Sequence, residues 1–408
     1  MSFWQQHSPV KHRRFAKLLL LLGAVAVALL LAEIGLRVVG YRHFNPSIVD
    51  RDVGYSLRPN AEGWWRKEGL AYVKINSQGL RDREHSITKP PKTIRIAVLG
   101  DSFAEALQVP MENTFWALME RQLQNCVAPG TKVEVINFGV SGFSTARELI
   151  FLRQRVWQYS PDVVLLLVTS SNDIRDNSPA LDQYSGTPLP YFVLRGDSLT
   201  LDDSRLQARN SSLTFRLQQS VIGESLNWLR EHSRLIGLID NAREVYQARQ
   251  IQQTGLRDGP QGEPGLNAEV LREPRDSKWQ DAWRVTERLL VEMRDEVKAK
   301  GAKFFVVTGS TGIQVSPDAL NRDVYMKRLG VDSLFYPEQR IKALGDREGF
   351  AVLNLAPPLL DYATREHVFV HGFGTTLGSG HWNENGHRVV GGLIANELCA
   401  PVRALETH

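Results

Sequence analysis

Apolar positions fall along this chain in three kinds of pattern. The first is an unbroken run: residues 18–32 are apolar or glycine, and with Glu33 and Arg37 allowed the run reaches about residue 40. A helix of roughly 20 such residues can cross a bilayer. The second pattern is a set of short apolar blocks, at 93–99, 133–137, 162–168, 303–307 and 351–355, which predict strands. Helical spacing intervenes at 112–126, 145–159, 278–300, 334–347 and 384–398. Strands alternating with helices predict an α/β fold with a doubly wound parallel sheet. The continuous block Val163-Val164-Leu165-Leu166-Leu167-Val168 suits a strand covered on both faces.

The third pattern is an interruption. Residues 175–275 separate the third strand from the helix before the fourth. The first part is predicted to be polar loop. Residues 212–250 carry Phe215, Val221, Ile222, Leu226, Trp228, Leu229, Leu235 and Ile239 at helical spacing, which predicts two helices. Residues 254–275 are rich in glycine and proline. The insertion reads as a lid or acceptor site, or as surface decoration. A second, shorter insertion follows the fourth strand at 310–332. Two short strands are predicted at Gly63-Trp64-Trp65-Arg66 and Ala71-Tyr72-Val73-Lys74-Ile75-Asn76. The resulting layout is a basic N-terminus (1–17), a transmembrane anchor (18–40), a juxtamembrane segment (41–92) and a main domain (93–400) containing the insertion.

Composition changes this picture little. With 42% hydrophobic and 23% charged residues over 408, the chain is ordinary for a globular protein. A net charge of +4 and no dense basic stretch give no support for nucleic-acid binding. Charge matters at the start of the chain. Lys11, His12, Arg13, Arg14 and Lys17 precede the apolar run, so the positive-inside rule places the N-terminus in the cytoplasm and the rest outside. Glu33 and Arg37 lie four apart on one helical face, able to pair or to reach the headgroups. A cleaved signal peptide is the alternative, but its core is shorter (~7–15 residues) and Ala32-Glu33-Ile34-Gly35 offers a poor cleavage site. Either way the main domain lies beyond the cytoplasm; for an anchor, this is a single-pass inner-membrane protein with a periplasmic domain. Cys126 and Cys399 are too few for a disulfide scaffold or a zinc site.

Chemistry gathers where strands end. The first strand runs into Gly100-Asp101-Ser102-Phe103, so Ser102 sits at the C-terminal sheet edge, where open α/β sheets hold reacting groups. Ser102 reads as a nucleophile if a base takes its proton, or as a helix N-cap. Gly142 follows the second strand in Val140-Ser141-Gly142, and Asn172 follows the third in Ser171-Asn172-Asp173. With the Ser102 N–H they would make an oxyanion hole. Separately, they read as a turn glycine and an Asx turn. Late in the chain, Gly380-His381-Trp382-Asn383 offers an exposed imidazole before a helix. His387 reads as packed, and His367 and His371 are weaker candidates.

Four such pieces in order resemble the SGNH/GDSL hydrolases, lipase- and acylesterase-like enzymes with a flavodoxin-like sheet. Gly100-Asp101-Ser102-Phe103 is similar to the family's first block, Gly142 to the second, Asn172-Asp173 to the third and His381 to the last. The resemblance covers about 93–175 and 278–398. It implies Ser102 as nucleophile, His381 as base, and Ser102, Gly142 and Asn172 as oxyanion donors, with no cofactor or metal. One feature departs from it. The family's last block reads Asp-x-x-His, and the matching position is Gly378. A Ser-His dyad is expected, with a backbone carbonyl, Ser379 or water orienting His381.

In that architecture the helix after the first strand and the final helix lie side by side, which brings Cys126 and Cys399 to one edge and predicts a disulfide. The expected function is a membrane-anchored extracytoplasmic esterase acting on an acyl ester, such as O-acetyl on an envelope glycan. The alternatives are an O-acyltransferase modifying an exopolysaccharide, or a non-catalytic envelope protein on the same fold. The partners expected are the ester or acylated glycan and the membrane.

Overall fold

The computed structural model describes residues 9–182, 187–196, 198–255 and 266–407. Its centre is a five-stranded parallel sheet of β1 (Thr93–Leu99), β2 (Lys132–Asn137), β3 (Val163–Val168), β4 (Lys303–Thr308) and β5 (Ala351–Asn354). The strand order is β5-β4-β3-β1-β2, a doubly wound, flavodoxin-like arrangement. After β1 the chain turns to one side for β2, then returns to the other for β3. The C-terminal ends of β1 and β3 therefore lie together at the reversal point, where such sheets bind ligands.

Alternation along the strands divides the core. Ile94, Ile96, Val98, Leu165, Leu167 and Val307 share one buried cluster with the helices Phe115–Leu123, Ala356–Glu366 and Glu384–Arg403. Intervening residues such as Val164 and Leu166 are equally buried, so the opposite face is covered too. That explains why β3 lacks the polar alternation of a half-exposed strand.

The segment before the sheet is pinned to it by buried charges. The Arg95 guanidinium donates to the carbonyls of Ile87 (3.1 Å) and Ser86 (2.9 Å) and to Glu134 (2.7 Å). Asp82 accepts from the Asn137 N–H at the end of β2 (2.9 Å). Two antiparallel hairpins precede these contacts, Ser47–Asp50 with Gly54–Leu57 and Glu62–Trp65 with Ala71–Lys74.

Some expectations are corrected. The stretch 145–159 is helical throughout, as expected, but changes type: α for Thr145–Phe151, a π turn for Leu152–Val156 and a 3-10 turn for Trp157–Tyr159. The wider turn buries both Leu152 and Val156 while Arg153 and Arg155 stay outside. The supposed polar loop after β3 holds a hairpin, Tyr191–Arg195 with Ser198–Asp202, and a helix, Ser204–Ser211. The next stretch holds three helices, not two, because Ser220 and Ser233 break it. Residues 256–265 of the Gly/Pro-rich stretch expected at 254–275 lie outside the described residues.

Contacts divide the chain into two units. Residues 46–212 and 252–408 contain the sheet. Residues up to 45 and 213–251 form the other unit, with helices α1 (Pro9–Val38), α2 (Leu213–Gln218), α3 (Val221–His232) and α4 (Arg234–Gly255). Within α1, Arg14–Val38 is long and apolar enough to cross a membrane.

Cys126 and Cys399 are joined, with Cα atoms 5.5 Å apart. Closing a loop across 273 positions limits the unfolded chain, worth at most about 5 kcal/mol in the chain-entropy picture. Non-reducing peptide mapping is expected to recover Cys126 linked to Cys399, and reductant to lower the melting temperature by several degrees. Free thiols at both positions would remove the link.

Candidate active site

Ser102 opens the turn Ser102–Glu105 directly after β1. The cap of that turn is Asp101, not Ser102: its carboxylate accepts from the Phe103 N–H (2.9 Å). The Ser102 hydroxyl is thereby left for another partner, and it lies 2.8 Å from His381 Nε2. Groups 279 positions apart in sequence thus meet at the sheet edge.

The other side of the imidazole carries the largest difference from expectation. A backbone carbonyl, Ser379 or water was expected at Nδ1, and a carboxylate stands there. Glu68 supplies it, with Oε2 at 2.5 Å, while its Oε1 accepts from the His381 backbone N–H (2.9 Å). Glu68 sits in the turn of the hairpin Glu62–Trp65/Ala71–Lys74, far outside the region that carries the resemblance. Because Nδ1–H donates to the carboxylate, Nε2 is the free acceptor, and the Ser102 O–H points its proton there. Burial pushes the Glu68 carboxyl upward, but its bonds and attraction to His381 outweigh this and hold it below the ordinary carboxylate range.

Two glycines make the arrangement possible. Gly380 has φ +84°, and a Cβ there would stand 2.4 Å from Glu68 Oε1. Gly378, where an aspartate was expected, has φ +87° and packs on the Phe369 ring. An aspartate in that backbone would be strained.

The loop holding His381 is braced from beneath. The Trp382 indole N–H donates to Ser310 Oγ (3.1 Å), and Ser310 Oγ lies 2.9 Å from His371 Nε2. His371 Nδ1–H donates to the Gly380 carbonyl (2.7 Å). His387 instead caps the helix Phe115–Leu123, accepting from the Phe115 N–H (3.2 Å).

Of the expected donors, Asn172 bonds the residue next to Ser102. Asn172 Nδ2 gives one N–H to Asp101 (2.7 Å), which leaves its second for a ligand. Asp101 also accepts from Thr169 Oγ1 (3.0 Å). Asp101 is thus an orienting group that the sequence reading passed over, although its place beside Ser102 was visible. The Gly142 carbonyl accepts from the buried Arg147 guanidinium, which fixes that peptide plane. Among the described residues, no protein acceptor takes the backbone N–H of Ser102 or Gly142. A hydroxyl, an imidazole backed by a carboxylate, and three uncommitted N–H donors can together carry acyl transfer.

Fold and site therefore define a flavodoxin-like α/β protein with a Ser-His-carboxylate chain at its reversal point. No family model matches the chain. It is 33% identical over 85 residues to an arylesterase of Vibrio mimicus. That match spans 21% of this chain and about two-fifths (41%) of the relative. Among solved structures, it is similar to an acetyl xylan esterase, AlAXEase, at 14% identity and TM-score 0.37, covering 75% of this chain and 100% of that one. It is also similar to TesA at 13% identity and TM-score 0.37, covering 76% and 99%.

Burial holds His371 down to about 4 and His387 down to about 3, so both are neutral at ordinary pH. The unfolded chain, near 6.5, takes up these protons first as pH falls. The stability they contribute is complete above about pH 6.5 and is lost progressively towards about pH 4. The share of the urea midpoint's pH dependence that these histidines supply is expected to fall between about pH 7 and about pH 4.5, read as the difference between the parent chain and His387→Gln. An unchanged slope in that variant would count against this assignment.

Proposed function

We propose that this chain is a serine esterase held at a membrane by α1, with its sheet unit outside the cytoplasm. The observation that carries the reading is the hydrogen-bonded chain Glu68–His381–Ser102, at 2.5 Å and 2.8 Å. Ser102 Oγ attacks the ester carbonyl while His381 Nε2 takes its proton. Glu68 holds the imidazole in the required tautomer and balances the charge it gains. The N–H groups of Ser102, Gly142 and Asn172 receive the developing oxyanion. His381 returns the proton to the departing alcohol, then activates the hydroxyl that releases the acyl group from Ser102. With a carboxylate present, the non-catalytic alternative loses its main ground. The likeness to an arylesterase agrees with ester chemistry.

The substrate class we favour is an acylated glycan of the envelope. The hairpin that delivers Glu68 pairs Trp64 with Tyr72 across its strands, with ring centroids 5.4 Å apart and both rings exposed. Exposed aromatic faces suit the apolar faces of sugar rings. Basic residues ahead of Arg14–Val38 and the Cys126–Cys399 link both suit an anchored, extracytoplasmic protein.

A fluorophosphonate probe is expected to label Ser102, and Ser102→Ala to abolish both labelling and ester turnover. A label elsewhere would overturn the assignment. Glu68→Gln is expected to lower kcat by roughly 10³–10⁴-fold with the fold intact by circular dichroism. Asn172→Ala is expected to lower it roughly 10²–10³-fold. Full turnover in Glu68→Gln would return the site to a dyad. Adding a glycan acceptor and measuring transfer against hydrolysis separates an esterase from an acyltransferase.

A further inference from the structure

The unit containing α1 has an inverted surface. On α3, Val221, Ile222, Leu226, Trp228 and Leu229 occupy one arc of the helix and are 50% to 77% exposed. Asn227 and Arg230, also exposed, occupy the opposite arc. On α4, Leu238, Ile239, Val245 and Tyr246 make a second exposed apolar stripe at helical spacing. Leu213 and Leu217 on α2 extend the first. Contiguous apolar surface of this extent on a water-facing protein marks an interaction site.

The corner between α3 and α4 shows what covers it. Glu33, near the outer end of α1, accepts from the backbone N–H groups of Arg234 (3.0 Å) and Leu235 (2.9 Å) and from Ser233 Oγ (3.0 Å). It caps α4 from another helix. Arg37 bonds Glu33 (2.8 Å) and donates to the His232 carbonyl at the end of α3 (2.9 Å). Each charge thus meets the helix end whose dipole it complements. Two ionisable residues inside an otherwise apolar span are explained by this clamp. It also fixes the corner at the last turn of the span, where a bilayer gives way to headgroups.

We propose that α2, α3 and α4 form a membrane-embedded amphipathic platform, with their apolar stripes in the interfacial layer of the same bilayer that α1 crosses. This rests on reading α1 as a membrane span. The occupant of the apolar surface is lipid, because the surface continues from the span and is clamped to its end. Trp228, 59% exposed on this arc, is a residue type enriched at bilayer interfaces. Residues 213–246 carry four arginines and four carboxylates, so association depends on apolar burial and not on anionic lipid.

The test uses the full chain in phosphatidylcholine proteoliposomes, with an environment-sensitive dye on a single introduced cysteine: Leu226→Cys, with Ile222→Cys as a second probe should the first not fold. Val25→Cys reports the span and Lys298→Cys the exposed sheet unit; the native cysteines are disulfide-bonded and take no dye. Leu226→Cys is expected to be quenched by lipids brominated near the headgroup and shielded several-fold from aqueous iodide, unchanged by salt. Lys298→Cys is expected to show the reverse. If the 226 probe is as open to iodide as the 298 probe while the 25 probe is lipid-quenched, the platform is excluded and the anchor stands. If the 25 probe is also open to iodide, the anchor reading fails and the platform with it. Shielding that grows with protein density, without lipid quenching, would assign the surface to a second copy and overturn the proposal. Fluorophosphonate labelling of Ser102 in the same samples tests the esterase reading independently.

Discussion

His381 is held between two supports of different origin, and the geometry around Ser102 depends on both. From one side Glu68 accepts two hydrogen bonds from this one residue, through its backbone N–H and its Nδ1–H. From beneath, the buried His371 donates to the Gly380 carbonyl. The first support fixes the ring's tautomer, and the second fixes the backbone from which the ring projects. Without the carboxylate the imidazole can carry its proton on Nε2, where it no longer accepts from Ser102. The carboxylate arrives on a hairpin that precedes the sheet, so residues 62–74 belong to the site as fully as the strands do. A fragment beginning at β1 would retain serine, imidazole and N–H donors but lack the group that aligns them.

Acidic side chains crowd this region, although an oxyanion hole must stabilise negative charge. Burial reconciles the two. It pushes Asp101 and Glu105 upward, against the hydrogen bonds each receives. It pushes Glu148 and Asp173 well above the ordinary range, and repulsion from Asp101 on Glu148, and from Glu148 and Asp101 on Asp173, adds to the effect. Burial thus disfavours negative charge on these four side chains. Glu68 is the exception, held below the ordinary carboxylate range by its bonds and attraction to His381.

The sheet was legible because burial on both faces leaves an unambiguous trace: five apolar blocks separated by helical spacing. The meeting of Ser102 and His381 was legible because one follows a strand and the other precedes a helix at the same edge. Glu68 was not. Its partner is 313 positions away, and a lone acid in a short polar turn looks like solvent-exposed decoration. Its one trace was negative, the glycine at 378 where the resemblance leads one to look for an aspartate. The hairpin at 191–202 was hidden because its strands are short and half exposed, so apolar alternation is weak. The helices of 213–255 were visible, but hydropathy cannot distinguish a stripe facing a core from one facing outward.

The position of the acid has a consequence for how the site assembles. In an Asp-x-x-His block, acid and base ride on one loop, and their contact is local. Here the loop around Gly378 is committed to its own closure: the Gly372 N–H bonds the His381 carbonyl (2.9 Å) and the Gly378 N–H bonds the His371 carbonyl (2.9 Å). A positive φ at 378 serves that closure and leaves no room for a strained aspartate. The carboxylate must therefore come from a separate element, and it enters where Gly380 lacks a side chain. Serine, imidazole and acid thus arise from three segments of the chain with no local contact among them. The site is complete when the sheet, the late loop and the early hairpin have all docked. Turnover then reports on tertiary assembly of the whole sheet unit, which a contact within one loop would not do.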